Sequence, residues 1–369
     1  AFRVGFLLLL AFPLVALSKR GGIGLKVAAW GMAALAVFVA FYQWEQYNDL
    51  ILRAGDPLPR DLVVGIIALV TVFVAGWIVM GPALPIISGI FLAYCLFGEY
   101  LPSPLNHRGY DFAQVIDHMT FGTEGIYGIP IYVSSTYIFL FILFGSFLER
   151  AGMIKLFTDV SLGFVGHKKG GAAKVSVISS GLMGTISGSG VANVVTTGQF
   201  TIPLMKRFGY RAEFAGGVES TSSMGGQIMP PVMGAVAFIM AETLDVAYVE
   251  IVKAAIIPAV LYYASAFLAV HLEAGKRGLA GLPKDQLPRL QTVLVEGGHI
   301  FIPIFVLIAL LLMKFTPFYA SAACVVMTVA ISYVRRATMI TPSKLFTGLE
   351  AGTRIVLTIA ALIASAAII

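Results

Sequence analysis

Charge is what this sequence has least of. Only 12% of its 369 residues are Asp, Glu, Lys or Arg, about half the roughly 25% found in a water-soluble domain. Together with 58% hydrophobic residues and a mean hydropathy of +0.90, this excludes an ordinary soluble enzyme and a disordered tail. Cysteine is nearly absent too. Cys95 and Cys324 both lie inside apolar runs, so neither a disulfide framework nor a CxxC metal site is available. The five histidines (His107, His118, His167, His271 and His299) fall in loops or at run ends, without HExxH or another ligand spacing. No GxSxG or Walker motif occurs, and Gly188-Ser189-Gly190 is too short to read as a nucleotide loop. Serines are plentiful but none has a base beside it, so neither catalysis nor a cofactor is expected. The net charge of +6 is scattered at the ends of apolar runs. It reads as an orientation signal, and no nucleic-acid partner is expected.

Uncharged apolar runs are what fills the space. They fall near residues 1–17, 23–43, 62–80, 83–98, 130–148, 171–205, 212–243, 247–270, 298–314, 317–334 and 345–369. Crossing a hydrocarbon core of about 30 Å takes roughly 17–25 such residues. The chain therefore reads as an all-α polytopic membrane protein whose first partner is the lipid bilayer. Its loops alternate in character. Loops 18–26, 149–174, 206–211, 271–295 and 335–344 hold most of the Lys and Arg, including Lys168-Lys169 and Arg335-Arg336. Loops 44–61 and 99–129 carry mainly Asp and Glu. Such asymmetry places the basic set in the cytoplasm, provided 171–205 enters and leaves on that side. The chain starts at Ala1 without a methionine and stops at Ile369 within an apolar run, so it is expected to be truncated at both ends.

Residues 99–129 are polar and marked by Pro and Gly. They read as an external connection between a four-span part, 1–98, and a larger part, 130–369. Residues 151–166 carry Met153, Leu156, Phe157, Val160 and Leu162 around Lys155 and Asp159. That spacing suits an amphipathic helix at the cytoplasmic surface, the alternative being a simple loop.

Two segments carry chemistry. In 179–198, Ser, Thr, Gly and Asn dominate and no residue is charged. Gly and Ser clustered at 187–190 should break a helix and free backbone polar groups. In lipid, such backbone must be buried in protein or line a polar cavity. A re-entrant hairpin follows, with arms 171–185 and 191–205 and a tip at 186–190. Two complete spans with an external turn have the same topology, but an external turn has no need of a concentrated hydroxyl set. Small residues for tight helix packing account for the glycines better than for Ser187, Ser189 and Asn193. The second segment, 212–243, contains Gly225-Gly226-Gln227-Ile228-Met229-Pro230-Pro231. These residues should unwind the helix near 225–230, with Pro231 at the first position of a restarted helix through about Glu242.

Two such breaks at one depth offer half-helix termini to anions and freed carbonyls to small cations. Na⁺ prefers oxygen ligands, which Ser187, Ser189, Asn193 and Thr221 supply. Glu219 stands apart as an acid well inside an apolar run. It is either a proton carrier, a group with an unidentified partner, or an acid near the cytoplasmic helix end reaching water beside Arg211 and Glu213.

The run Gly184-Thr-Ile-Ser-Gly-Ser189, then Asn193-Val-Val-Thr-Thr-Gly198, Phe200 to Arg207, Gly225-Gly-Gln-Ile-Met-Pro-Pro231 and Met240-Ala-Glu242 resembles the fused membrane component of tripartite ATP-independent periplasmic (TRAP) transporters, the TAXI branch in particular. The resemblance covers the whole chain. It implies a multi-pass permease of the bacterial inner membrane that imports small carboxylates of the dicarboxylate or 2-oxoacid type. A periplasmic substrate-binding protein delivers the substrate, an Na⁺ or H⁺ gradient drives uptake, and a transport domain moves by an elevator mechanism. It also implies a fold: a four-helix small part on 1–98, then the first half of an inverted-repeat ion-transporter-type elevator fold on 130–369. By the same resemblance, ion and substrate roles fall on Ser187, Gly188, Ser189, Gly190, Asn193 and Thr197 of the hairpin. In the broken span they fall on Thr221, Gly225, Gly226, Gln227, Met229 and Pro230. The family's second hairpin and second broken helix would lie beyond Ile369, and Glu219 departs from the pattern expected of sodium-driven relatives. A stand-alone carboxylate–cation symporter is the alternative within transport. An ion channel, which also uses re-entrant loops, is the alternative outside it.

Overall fold

A computed structural model describes residues 23–283, 285 and 287–368. The apolar run at 1–17 lies outside them. Among the described residues the structure is all helical, and seven stretches are long and apolar enough to cross a membrane. The chain divides into two compact units, residues 1–136 with 353–369, and residues 137–352.

The first unit contains α1 (Ile23–Glu45), α2 (Tyr47–Leu52), α3 (Pro59–Met80), α4 (Ala83–Phe97) and α5 (Phe112–Thr120). Pro59 opens α3, where its missing N–H costs nothing. Asp61, fully buried in the first turn of α3, accepts from Leu58 N at 2.9 Å and pairs with Arg53 Nε at 2.8 Å. It also takes the Tyr42 hydroxyl, which ties α1 to the start of α3. The connection 99–129, expected as polar loop, holds α5. Asp111 caps α5 by accepting from Ala113 N at 3.0 Å, and Gln114 returns the contact to Asp111 N, a reciprocal cap that starts a short helix. Val115, Ile116 and Thr120 then bury against α3, and Gly65 permits the approach, because a Cβ there would lie 2.5 Å from Ile116 Cγ2.

Along the chain, α6 (Ile129–Val133), a π turn (Ser134–Ile138) and α7 (Phe139–Arg150) form one continuous stretch. In the second unit, α7 is followed by α8 (Met153–Val165), α9 (Gly171–Ser187), α10 (Gly190–Arg207) and α11 (Ala212–Met224). Next come a 3₁₀ turn (Gly225–Ile228), α12 (Ala235–Thr243) and α13 (Tyr248–Lys276). After these come α14 (Leu290–Gly297), α15 (Ile302–Leu312), α16 (Pro317–Ser332) and α17 (Pro342–Ala366), the last of which runs on into residues of the first unit. Residues 151–166, expected as an amphipathic helix or a loop, form the helix α8, which buries Met153, Leu156, Phe157, Ser161 and Val165. A core of Ala172, Ala173, Val177, Met205, Tyr210, Ala215, Val218, Val270, Ala274 and Leu282 knits α9, α10, α11 and α13 together. The alanines let these backbones pack closely where lipid gives little hydrophobic drive.

Candidate functional site at the hairpin and the broken helix

The hairpin link is shorter than the sequence implies. Helix α9 runs through Ser187 and α10 begins at Gly190, leaving Gly188 and Ser189 between them. Gly188 ends α9 in the left-handed region at φ 59°, which glycine adopts without steric cost. Ser189 caps α10, accepting from Ala192 N at 3.3 Å. Neither arm is among the seven spanning stretches.

The broken helix is present, but it restarts later than expected. α11 ends at Met224 and α12 begins at Ala235, so Pro231 lies in irregular chain and opens no helix. In a helix begun at Pro231, the carbonyls of Pro231 and Val232 would accept from the following turn. Here the Tyr248 hydroxyl shares its one proton between them, at 3.0 and 2.6 Å, and Met233 is left-handed at φ 57°. At the other edge of the break, Tyr262 donates to Thr221 O at 2.7 Å and Tyr263 to Ser222 O at 2.8 Å. Two carbonyls of the last turn of α11 are thereby held by α13.

Hairpin and break meet through glycine. A Cβ on Gly226 would stand 2.6 Å from Gly184 Cα, and one on Gly190 would stand 3.0 Å from Met224 Cα and 3.3 Å from Gln227 Nε2. Gly188 lies against Met233 O and Gly234. The expected residues Gly188, Gly190, Gly226 and Gln227 thus belong to one junction, while Gly225 packs against the rings of Tyr262 and Tyr263 on α13. Ser187 Oγ is buried beside it, and among the described residues it has no hydrogen-bond partner. Asn193, fully buried, donates from Nδ2 to Ser180 O at 2.8 Å and bridges the two arms. Met229 and Pro230 are half-buried in the irregular stretch. Thr221 is different: its side chain is exposed.

Behind the junction lies Glu219, 0% exposed, so the reading in which it reaches water is corrected. Five hydroxyls surround its carboxylate. Ser180 and Ser223 approach Oε1 at 3.0 Å and Ser176 approaches Oε2 at 2.6 Å. Thr197 closes on Oε1 and Thr201 on Oε2. Among the described residues no cation pairs with it, and no three His, Cys, Asp or Glu side chains converge. A buried carboxylate is costly unless hydrogen-bonded, and the five donors meet that cost when it is ionised. When it is protonated, its hydroxyl can donate to Thr201 Oγ1, which then turns its own proton to Thr197 O at 3.0 Å. The cage accommodates both states by rotating hydroxyls.

Ser176, Ser180, Thr201 and Ser223 do not figure among the sequence-predicted site residues. Their signal is an i, i+4 spacing on three helices: Ser176 and Ser180, then Asn193, Thr197 and Thr201, then Glu219 and Ser223. Each set forms one stripe on its helix, and the stripes face one another.

Comparison with known proteins adds to this geometry. The family model described as Tripartite ATP-independent periplasmic transporter, DctM component, matches residues 67–369. That match begins inside α3 and includes α4. The chain is 26% identical over 183 residues to the 2,3-diketo-L-gulonate TRAP transporter large permease YiaN of Escherichia coli, covering 49% of this chain and 43% of that protein. It is 37% identical over 91 residues to the C4-dicarboxylate TRAP transporter large permease DctM of Rhodobacter capsulatus, covering 25% and 21%. With the sialic acid TRAP transporter large permease SiaM of Vibrio cholerae, identity is 26% over 186 residues, covering 49% and 42%. The chain spans less than half the length of these curated relatives.

Proposed function

Because this chain belongs to the DctM family of tripartite ATP-independent periplasmic transporters, we propose that it is the permease of a secondary uptake system for small organic acids. A soluble periplasmic binding protein hands the acid over at the external face of the inner membrane. The substrates for which the relatives are named, a diketo-gulonate, C4-dicarboxylates and sialic acid, are all carboxylates, which supports that class. The motif run at 184–242 supports the TAXI branch, and a fused four-span small part on 1–98 rests on the resemblance alone. The chain acts by transport and carries out no catalysis.

The observation that carries this reading is the junction of hairpin tip and broken helix. The start of α10 offers a helix N-terminus to an anion, and Ser187, Ser189 and Asn193 offer oxygen to a cation. Where H⁺ is the coupling ion, Glu219 is the candidate carrier, since the surrounding hydroxyls can pair with it in either protonation state. Coupling runs through Na⁺ at the tip, through H⁺ at Glu219, or through both, and moves the hairpin as part of an elevator-type shift.

Uptake into proteoliposomes tests this. The complete transporter and its binding protein should accumulate dicarboxylate or 2-oxoacid under an imposed Na⁺ or H⁺ gradient, and lose that uptake when the binding protein is withheld. Undiminished uptake without it would identify a stand-alone symporter. Current without any carboxylate would identify a channel. Ser187→Ala is the sharpest single variant. Its hydroxyl is buried without a partner among the described residues, so removal should leave melting unchanged and abolish uptake. Wild-type uptake would remove Ser187 from the site.

A further inference from the structure

A cavity in the 137–352 unit has a chemistry that a small polar acid does not match. It is a groove of about 630 Å³ between α9 and α13, reaching Met229 at one end, and its size falls within the usual range for ligand pockets, roughly 300–1,000 Å³. Its walls are Val177, Ile178, Leu182, Val260, Phe267 and Leu268. At the other end stand Lys174 and His271. Lys174 is 3% exposed. Its Nζ lies 2.9 Å from His271 Nδ1 and 4.8 Å from the centre of the Phe267 ring.

Among the described residues, no carboxylate pairs with Lys174. Its charged neighbours are Lys168 and Lys169, which add to the positive field. Lys174 also sits in the first turn of α9, at the positive end of the helix dipole. A buried ammonium in contact with an imidazole and a ring, in the field of two further lysines, calls for an anion. An apolar groove running from that ammonium calls for hydrocarbon. Both demands are met by one kind of molecule.

We infer that the α9–α13 groove binds an anionic phospholipid, its phosphate on Lys174 and His271 and one acyl chain along Ile178, Leu182, Val260 and Leu268. The basic loops on this side attract anionic lipid from the adjoining leaflet, and the exposed side chains of Val260 and Leu268 leave the groove open to it. A small carboxylate would satisfy Lys174 and leave the walls wet.

The test uses the full-length transporter, delipidated in detergent. Thermal melting is followed with added phosphatidylglycerol, phosphatidylcholine or inorganic phosphate, and native mass spectrometry counts retained lipid. Phosphatidylglycerol should raise the melting temperature, while phosphatidylcholine and phosphate should not. Lys174→Gln should lower retained phosphatidylglycerol about fivefold to tenfold, as expected for one lysine at an anionic lipid, and Lys174→Arg should keep it. Because Lys174 is buried, Val260→Trp and Leu268→Trp provide an independent arm. Both side chains are more than half exposed, so these variants should fold normally and lose the lipid. An equal response to phosphatidylcholine would overturn the headgroup assignment. An equal response to phosphate alone would overturn the lipid in favour of a free-anion site. Full lipid retention in both tryptophan variants, or a polypeptide segment seated in the groove of the complete protein, would overturn the proposal altogether.

Discussion

Glu219→Gln should lower proton-driven uptake about 10- to 100-fold while the protein still folds and inserts. The magnitude follows from hydrogen bonds to a charged group, worth about 1.5–3 kcal/mol, read at 1.36 kcal/mol per decade of rate. The fold should survive because the cage can adapt. Glutamine keeps one acceptor oxygen for Ser180 and Ser223, whose hydroxyls approach Oε1 at 3.0 Å. Its amide nitrogen becomes a donor on the side of Thr201, which can turn its proton to Thr197 O. Glu219→Ala should do worse, stranding five hydroxyls and opening a void, at a cost on the order of 3 kcal/mol. Uptake measured against pH in proteoliposomes, beside a melting curve, separates the two effects. An unaltered pH profile in the glutamine variant would retire Glu219 as a proton carrier.

Substitution at the glycine contact should be nearly as damaging, and for a different reason. Alanine at Gly226 would put its Cβ 2.6 Å from Gly184 Cα, closer than any real contact, and neither backbone can yield alone. Overpacking of this kind costs about 1–3 kcal/mol, and relief requires the hairpin to lift away from the break. Gly226→Ala and Gly184→Ala should each lose more than about tenfold in uptake, with lowered melting temperature. Gly216 and Gly217 on α11 serve as controls, since a Cβ at either meets nothing within 4 Å. Alanine there should leave uptake unchanged and strengthen the helix by up to about 1 kcal/mol each. Equal behaviour of all four variants would mean that the tip and the break do not work in contact.

The two interruptions are legible in the sequence because their causes are local. Gly188-Ser189 and Gly225-Gly226 with Pro230-Pro231 break a helix whatever surrounds them, and the structure breaks at both places. The exact restart of α12 is not local. It depends on Tyr248, seventeen residues after Pro231, claiming the carbonyls that an earlier helix would have used. The chemistry around Glu219 is legible only in part. An acid in an apolar run is conspicuous, but its partners come from α9, α10 and α11, and the i, i+4 stripes that supply them resemble ordinary small-residue packing until the three helices are set side by side. Thr221 illustrates the converse. Its oxygen suits a cation and its position is next to the break, yet helical phase turns its side chain outward while Glu219, Ser222 and Ser223 turn in.

The hydroxyls of Tyr262 and Tyr263 clamp the last turn of α11 to α13, so the broken end is riveted to the longest helix of this unit. If the proposed elevator-type shift moves the tip, α13 would move with it, along with the exposed aliphatic flank of Ile256, Ile257, Leu261 and Leu272. That flank would then slide against acyl tails, and membrane viscosity would slow the cycle, more so as the lipids stiffen in the cold.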